Sequence, residues 1–118
     1  MDLENLKEYC LNKKGVWIDF PFDEENMVFK VGSKMFALTN INSERFWVNL
    51  KCDPFLSEKL REEYKGIIPG YHMNKKHWNT VYINEDVPDE KIKWLIDISY
   101  DLVFKSLKKS EKDEIKGS

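Results

Sequence analysis

The densest group of residues able to do chemistry lies past the middle of the chain. His72, Lys75, Lys76 and His77 fall within six residues, flanked by Tyr71 and Trp78, and no acid occurs from Gly66 to Tyr82. Pro69-Gly70 forces a turn just before them. Backbone amides in such a turn, joined by two ammonium groups, can bind a phosphate. An aromatic ring beside the lysines can stack on an unpaired base. Unperturbed histidines, with a pKa of about 6.5, add charge only fractionally at neutral pH, so their share grows on mild acidification. A structural reading of the same residues stays open. In it Tyr71 and Trp78 are core rings, His72 and Asn74 hydrogen-bond the turn backbone, and the lysines are solvated.

A second basic pair, Lys30 and Lys34, flanks Gly32-Ser33. The tip of such a hairpin can serve as a wing pressed into a groove, or its lysines can simply keep it soluble. Arg45 and Arg61 are the only arginines, and neither lies in either patch. Direct reading of guanine favours bidentate arginine, so contacts to DNA are expected mostly at phosphates and with weak selectivity. The candidate nucleic-acid contacts are therefore Lys34, His72, Lys75, Lys76, His77 and Trp78.

Catalysis finds no comparable support. His72 and His77 have no carboxylate at ligand spacing, and no GxSxG, Walker loop, HExxH or paired-carboxylate motif occurs. Cys10 and Cys52 match no metal-ligand spacing and read as buried or half-buried free thiols. No catalytic residue, metal or cofactor is expected. Ser99-Tyr100-Asp101 reads as structural: a small Ser99 permits close helix–sheet packing, and Tyr100 and Asp101 can reach a hydrogen-bond network with the 71–78 turn.

The elements that must position these groups follow from periodicity. Leu3, Leu6 and Cys10 predict a first helix, with Gly15 placed to end it. The period then changes to two over Val16–Phe20 and Met27–Val31. Gly32-Ser33, with glycine in the first loop position, predicts a type II′ turn into the strand Lys34–Leu38. A further strand covers Phe46–Lys51. Asp53-Pro54 opens a helix carrying Leu56, Leu60 and Tyr64, which Gly66 ends. Trp78–Ile83 alternates again as a strand. After Val87-Pro88-Asp89-Glu90 a long helical stripe runs through Ile92, Leu95, Ile96, Ser99, Leu102, Val103 and Leu107. Residues from Ser110 onward are highly charged and are expected to fray. The order helix, strands, helix, strand, helix predicts an α+β two-layer sandwich, an antiparallel sheet with helices packed on one face.

The length suits a single domain over residues 1–109, with a charged tail at 110–118. Apolar residues make up 42% of the chain and aromatics 14%, which excludes a disordered tail protein. A net charge of −2 works against a dedicated nucleic-acid binder unless its acids are segregated from a basic face. No apolar run approaches the roughly 20 residues that span a bilayer, and Met1-Asp2-Leu3-Glu4-Asn5 lacks the layout of a signal peptide. A cytoplasmic protein without a membrane partner is expected, with a monomer favoured.

Three stretches carry a family resemblance: Val28-Phe29-Lys30-Val31-Gly32-Ser33-Lys34-Met35-Phe36-Ala37-Leu38, Pro69-Gly70-Tyr71-His72-Met73-Asn74-Lys75-Lys76-His77-Trp78, and Ser99-Tyr100-Asp101-Leu102-Val103. Through them the chain resembles the MmcQ/YjbR family along nearly all its length. Ser33 and Asp23 depart from glycines common there. The resemblance implies a CyaY-like architecture, similar in shape to double-wing DNA-binding domains, and so a DNA partner by structural analogy. It supplies no catalytic residues. An iron site of the frataxin kind would need an acidic ridge, and the first helix offers only Asp2, Glu4 and Glu8. Two alternatives to DNA accompany this expectation. One is a protein-interaction or assembly module using Trp17, Trp47 and Tyr82, which lie opposite the core-facing positions. The other is a small anionic-ligand binder, which would show a deep pocket beside His72.

Overall fold

The computed structural model describes residues 1–117. In chain order the elements are α1 (Leu3–Leu11), β1 (Val16–Asp19), β2 (Asn26–Val31), β3 (Lys34–Asn40), β4 (Trp47–Lys51), α2 (Pro54–Glu63), β5 (Ile67–Pro69), β6 (Trp78–Tyr82), α3 (Asp89–Ser106) and α4 (Lys109–Lys116). The strands form one antiparallel sheet in the order β1-β2-β3-β4-β6-β5. The result is the expected α+β arrangement, with helices packed on the sheet.

Local chemistry explains the element boundaries. Asp2 caps α1, accepting from Asn5 N at 2.8 Å while Asn5 Oδ1 accepts from Asp2 N. Asp53 caps α2 by accepting from Phe55 N at 2.9 Å, with Pro54 in the first helical position. The hairpin between β2 and β3 has positive φ at Gly32 (+58°) and not at Ser33, as the first turn position of a type II′ turn requires. Helix α2 stops because Tyr64 turns extended, two positions ahead of Gly66. Gly66 serves a different purpose: a Cβ there would lie 2.6 Å from Asp86 Oδ1, which accepts the Gly66 N–H.

Helix α3 lies over the middle of the sheet, against β2, β3 and β4. Ile92, Leu95, Ile96, Ser99 and Val103 are buried there against Phe29, Phe36, Val48 and Val81, whereas Leu102 remains exposed. The register shifts between Phe29 and Lys30, so Phe36 is an extra residue in β3 and points to the core. Beyond the bulge β3 and β4 keep only the pairs Ala37↔Leu50 and Leu38↔Asn49. Ser99 bridges the gap, its Oγ donating to Phe36 O at 2.6 Å and accepting from Lys51 N at 2.8 Å. At the other end of the same strand pair Thr39 Oγ1 donates to Trp47 O.

Two stretches depart from expectation. Ile67–Pro69 forms the short edge strand β5, too brief for any periodic signal. The charged tail, expected to fray, forms α4 instead. Ile115 is its one buried residue, and that contact decides the outcome, because it sits on Gly15 and near Gly32, where the missing side chains leave room. Glu111 accepts the Ser33 N–H at 3.0 Å, tying α4 to the hairpin tip. A high charge density argues against burial of a whole helix, and one apolar contact with one anchored carboxylate is enough to hold a single face.

Candidate nucleic-acid interface

Side chains alternate across β-strands, so residues facing away from the helices share the second face of the sheet. Strand pairing brings Trp17 beside Lys30, Lys30 beside Met35, and Lys51 beside Trp78. These residues form two groups on the helix-free face, Trp17-Lys30-Met35 on β1–β3 and Lys51-Trp78 on β4 and β6, with a tryptophan at the outer side of each. Lys30 is fixed in the first, pairing with Asp19 at 2.9 Å and lying 5.1 Å from the Trp17 ring centroid. The Lys30 hydrogen bond holds the Asp19 carboxyl below the usual carboxylate range. Trp17 is anchored through its Nε1–H to Gly32 O at 2.9 Å, leaving its ring 45% exposed. Lys51 is half-buried and has no ion pair among the described residues.

The turn from Gly70 to His77 borders this face. It is held from below by Arg61, which donates to Asn79 Oδ1 at 2.8 Å and to Lys75 O at 2.6 Å. Lys76 N donates to Asn74 Oδ1 and Trp78 N to Asn74 O, which closes the bend. Lys75, Lys76, His72 and His77 are all exposed. They do not form one cluster. His72 leans toward the sheet, its ring 4.1 Å from that of Tyr71, and Lys75 Nζ reaches back to Gly70 O at 3.4 Å. His77 accepts the Cys52 N–H through its carbonyl, which sets it beside Asp53, whose carboxylate caps α2. Trp78 is half-buried and pairs with Lys51.

Lys34 stands apart from the other candidates. Its Nζ donates to Ser106 O at 3.1 Å and to Ser106 Oγ at 3.3 Å, so it caps the end of α3. The hairpin tip is not a free wing either, since Leu107 at the end of α3 and Glu111 and Ile115 of α4 cover it. Tyr100 donates to Lys14 O at 2.6 Å rather than toward the 71–78 turn, and Asp101 is exposed.

A cleft opens on the same sheet face toward the Asn40 end, between the 20–25 segment and Tyr71–Met73, with a volume of about 470 Å³. Trp47 and His72 are both part of its lining. Tyr82 lies under the guanidinium of Arg45, 3.4 Å from its centroid, and Arg45 pairs with Glu85. That ion pair holds the Glu85 carboxyl low and the guanidinium high. Among the described residues no three His, Cys, Asp or Glu side chains gather as a metal site, and no helix is long and apolar enough to cross a membrane.

The family model YjbR matches residues 11–102. The chain belongs to the YjbR family. Among relatives in the YjbR family, the uncharacterised protein YbdF of Escherichia coli O157:H7 is 37% identical over 113 residues, 96% of this chain and 93% of that protein. The uncharacterised protein YjbR of Escherichia coli K12 is 36% identical over 100 residues, covering 85% of each. A solved Deinococcus radiodurans protein with a DUF419 domain superposes with a TM-score of 0.89 at 40% identity, over 96% of this chain and 86% of that one. These relatives establish the family and the fold of this chain. Sequence reasoning named Trp78 and the turn but missed Lys51, and it named Lys30 only for the hairpin. The signal was the shared parity of Trp17, Trp47 and Tyr82. Lys51 has that parity too, but its neighbours depend on a register that the bulge at Phe36 conceals.

Proposed function

We propose that this YjbR-family protein binds single-stranded nucleic acid, weakly and with little sequence selectivity, on the helix-free face of its sheet. The observation that carries the reading is two tryptophan–lysine pairs on that face, Trp17 beside Lys30 and Lys51 beside Trp78, each set by strand pairing, with β3 between them. Four inter-strand steps of about 4.8 Å make this stretch of the face roughly 20 Å wide, room for several stacked nucleotides. Rings at that spacing accept any base by its π-face, and ammonium groups between them meet the phosphates. The exposed Lys75, Lys76 and His77 extend the cationic surface at one edge. A duplex gripped by hairpin wings is a poorer match, because Lys34 caps α3 and α4 covers the Gly32 tip. Binding without catalysis, in the cytoplasm, completes the proposal. A second reading, a small-ligand binder, draws on the cleft beside His72 and is developed below.

The test is a titration of labelled single strands and duplex at low and moderate salt. Three phosphate contacts, at Lys51, Lys75 and Lys76, give an expected slope of about −2 in log K against log salt for single strands. Lys51→Glu and the double change Lys75→Glu/Lys76→Glu should each weaken binding and flatten that slope. No binding at low salt, or binding indifferent to both changes, removes the proposal.

A further inference from the structure

The cleft is built differently from the rest of the sheet face. Its walls are the rings of Phe22, Trp47 and Tyr71, and its floor is Leu38. At about 470 Å³ it falls within the ~300–1,000 Å³ range of small-molecule sites. None of the lining side chains is Asp, Glu, Lys or Arg. Hydrogen-bonding capacity comes from the carboxamides of Asn26 and Asn40 at one end and the His72 imidazole in the closing loop. Asn40 Nδ2 donates to Asn26 Oδ1 at 3.3 Å, Asn26 Nδ2 donates to Asp23 Oδ2 at 2.8 Å and Asn40 Oδ1 accepts from Asn42 N at 2.8 Å, which orients both carboxamides and leaves one amide proton on each for a ligand.

The loop that closes the cleft is strained and is held in that state. His72 has φ +60°, a left-handed conformation uncommon outside glycine. Such strain persists only where the surroundings over-determine it. Here two buried polar side chains of the sheet do so. Tyr71 N donates to Thr80 Oγ1 at 3.0 Å and Asn49 Nδ2 donates to Tyr71 O at 3.4 Å, while Thr80 Oγ1 donates to Asn49 Oδ1 at 2.6 Å. Asn49 and Thr80 are 1% and 2% exposed, so the peg is a fixed part of the sheet rather than a surface accident.

We infer that the cleft receives one planar heterocycle of nucleobase type, its faces against the rings and its polar edge against Asn26 and Asn40. Ring walls with neutral amide donors and acceptors suit a flat, uncharged ring that hydrogen-bonds along an edge. The inference rests on the sheet-face reading for how the base arrives: the strand lies on the tryptophan–lysine pairs and one base leaves it for the cleft. A free mononucleotide offers the same chemistry.

Adenosine monophosphate, a labelled oligodeoxyadenosine and the same oligomer with abasic sites distinguish these sources. Two variants probe the cleft without threatening the fold. Tyr71→Ala removes a ring that is 65% exposed. His72→Gly relieves the positive φ, so this variant unfolds no earlier than the parent. The expected result is affinity about tenfold weaker for both base-bearing ligands in each variant, the loss of one stacked base, with the salt slope of the oligomer unchanged. The abasic oligomer should bind parent and variants alike. If the oligomer binds with a lysine-dependent slope but ignores both variants, the cleft inference falls and the platform reading stands. If adenosine monophosphate binds and the variants lose it while no oligomer binds at low salt, the cleft stands as a free-nucleotide site and the platform reading falls. If neither ligand binds, both fall.

Discussion

Ser99→Ala tests how the irregular β3–β4 pairing beside Lys51 is held together. The Ser99 hydroxyl, fully buried, is the shared partner of Lys51 N and Phe36 O at 2.8 and 2.6 Å. Removing it leaves one buried N–H and one buried C=O without that partner, at about 1–3 kcal/mol for each orphaned group. The cavity left by one oxygen is small, and alanine recovers up to about 0.5 kcal/mol of helix propensity. The net loss should be about 2–3 kcal/mol. With a urea m-value of about 1–3 kcal/mol/M, the unfolding midpoint should fall by roughly 0.7–3 M at unchanged m. The Lys51 amide should also exchange its hydrogen faster than its neighbours in β4. A loss below about 0.5 kcal/mol, within the range of an ordinary surface change, would refute the bridge as an organising contact.

Three further outcomes follow from the same contacts. Ile115→Ala should cost about 2 kcal/mol, the low end for a buried isoleucine because α4 can detach and cap the loss, and faster exchange confined to α4 would show that detachment. Burial pushes the Cys10 thiol up to about 12, with Lys13 pulling it down and Asp97 adding to the rise. Its contribution is therefore fully present below the unfolded value near 9 and fades as pH climbs toward 12, so Cys10→Ala should flatten the alkaline decline in urea midpoint. Tyr9, raised to about 12 by burial and then by Asp97, keeps part of that decline in the variant. Hydrogen bonds from Ser33 hold the Glu111 carboxyl below its usual range. That stability is present above the ordinary carboxylate pKa and lost as pH falls through the folded value, so acid should loosen α4 in the parent and do so less in Glu111→Gln.

The sequence predicted those elements whose signals are local. The Asp53-Pro54 start of α2, the Gly32-Ser33 turn and the stripe along α3 each depend on residues within a few positions of one another. Period-two alternation also separated Trp17, Trp47 and Tyr82 from the core. The parts that stayed hidden depend on long-range register. Lys51 and Trp78 pair across 27 positions of sequence, and the Phe36 bulge shifts the parity that would have aligned them with Lys30. The docking of α4 is equally non-local, a single Ile115 finding room over Gly15. Lys34 misled because its position on a hairpin says nothing of Ser106, 72 residues away, which takes its charge. The cleft required two loops to meet over the sheet, and neither Phe22 nor Asn40 signals that alone.

The net charge of −2, which at first weighs against a polyanion ligand, is unevenly distributed between the two faces of the sheet. Asp2 caps α1, Glu4 and Glu8 lie on it, and Asp89 and Glu90 open α3, all on the helix layer, whereas Asp23, Glu24 and Glu25 lie in the segment that borders the cleft. The molecule is 25 Å across its thinnest dimension. At physiological salt charges are screened over about 8 Å, so carboxylates on the helix layer act feebly on a phosphate at the sheet face. What a phosphate bound as proposed would meet is local: Lys51 without an ion pair among the described residues, Lys75 and Lys76 on a turn free of acids, and Asp19 already matched by Lys30. Lowering the salt lengthens the screening distance and lets the distant acids oppose the ligand just as the lysine contacts strengthen. The salt slope should therefore bend below the straight line that the lysine count implies, most visibly in dilute buffer. That curvature separates a segregated basic face from a uniformly basic protein, in which both effects would run the same way.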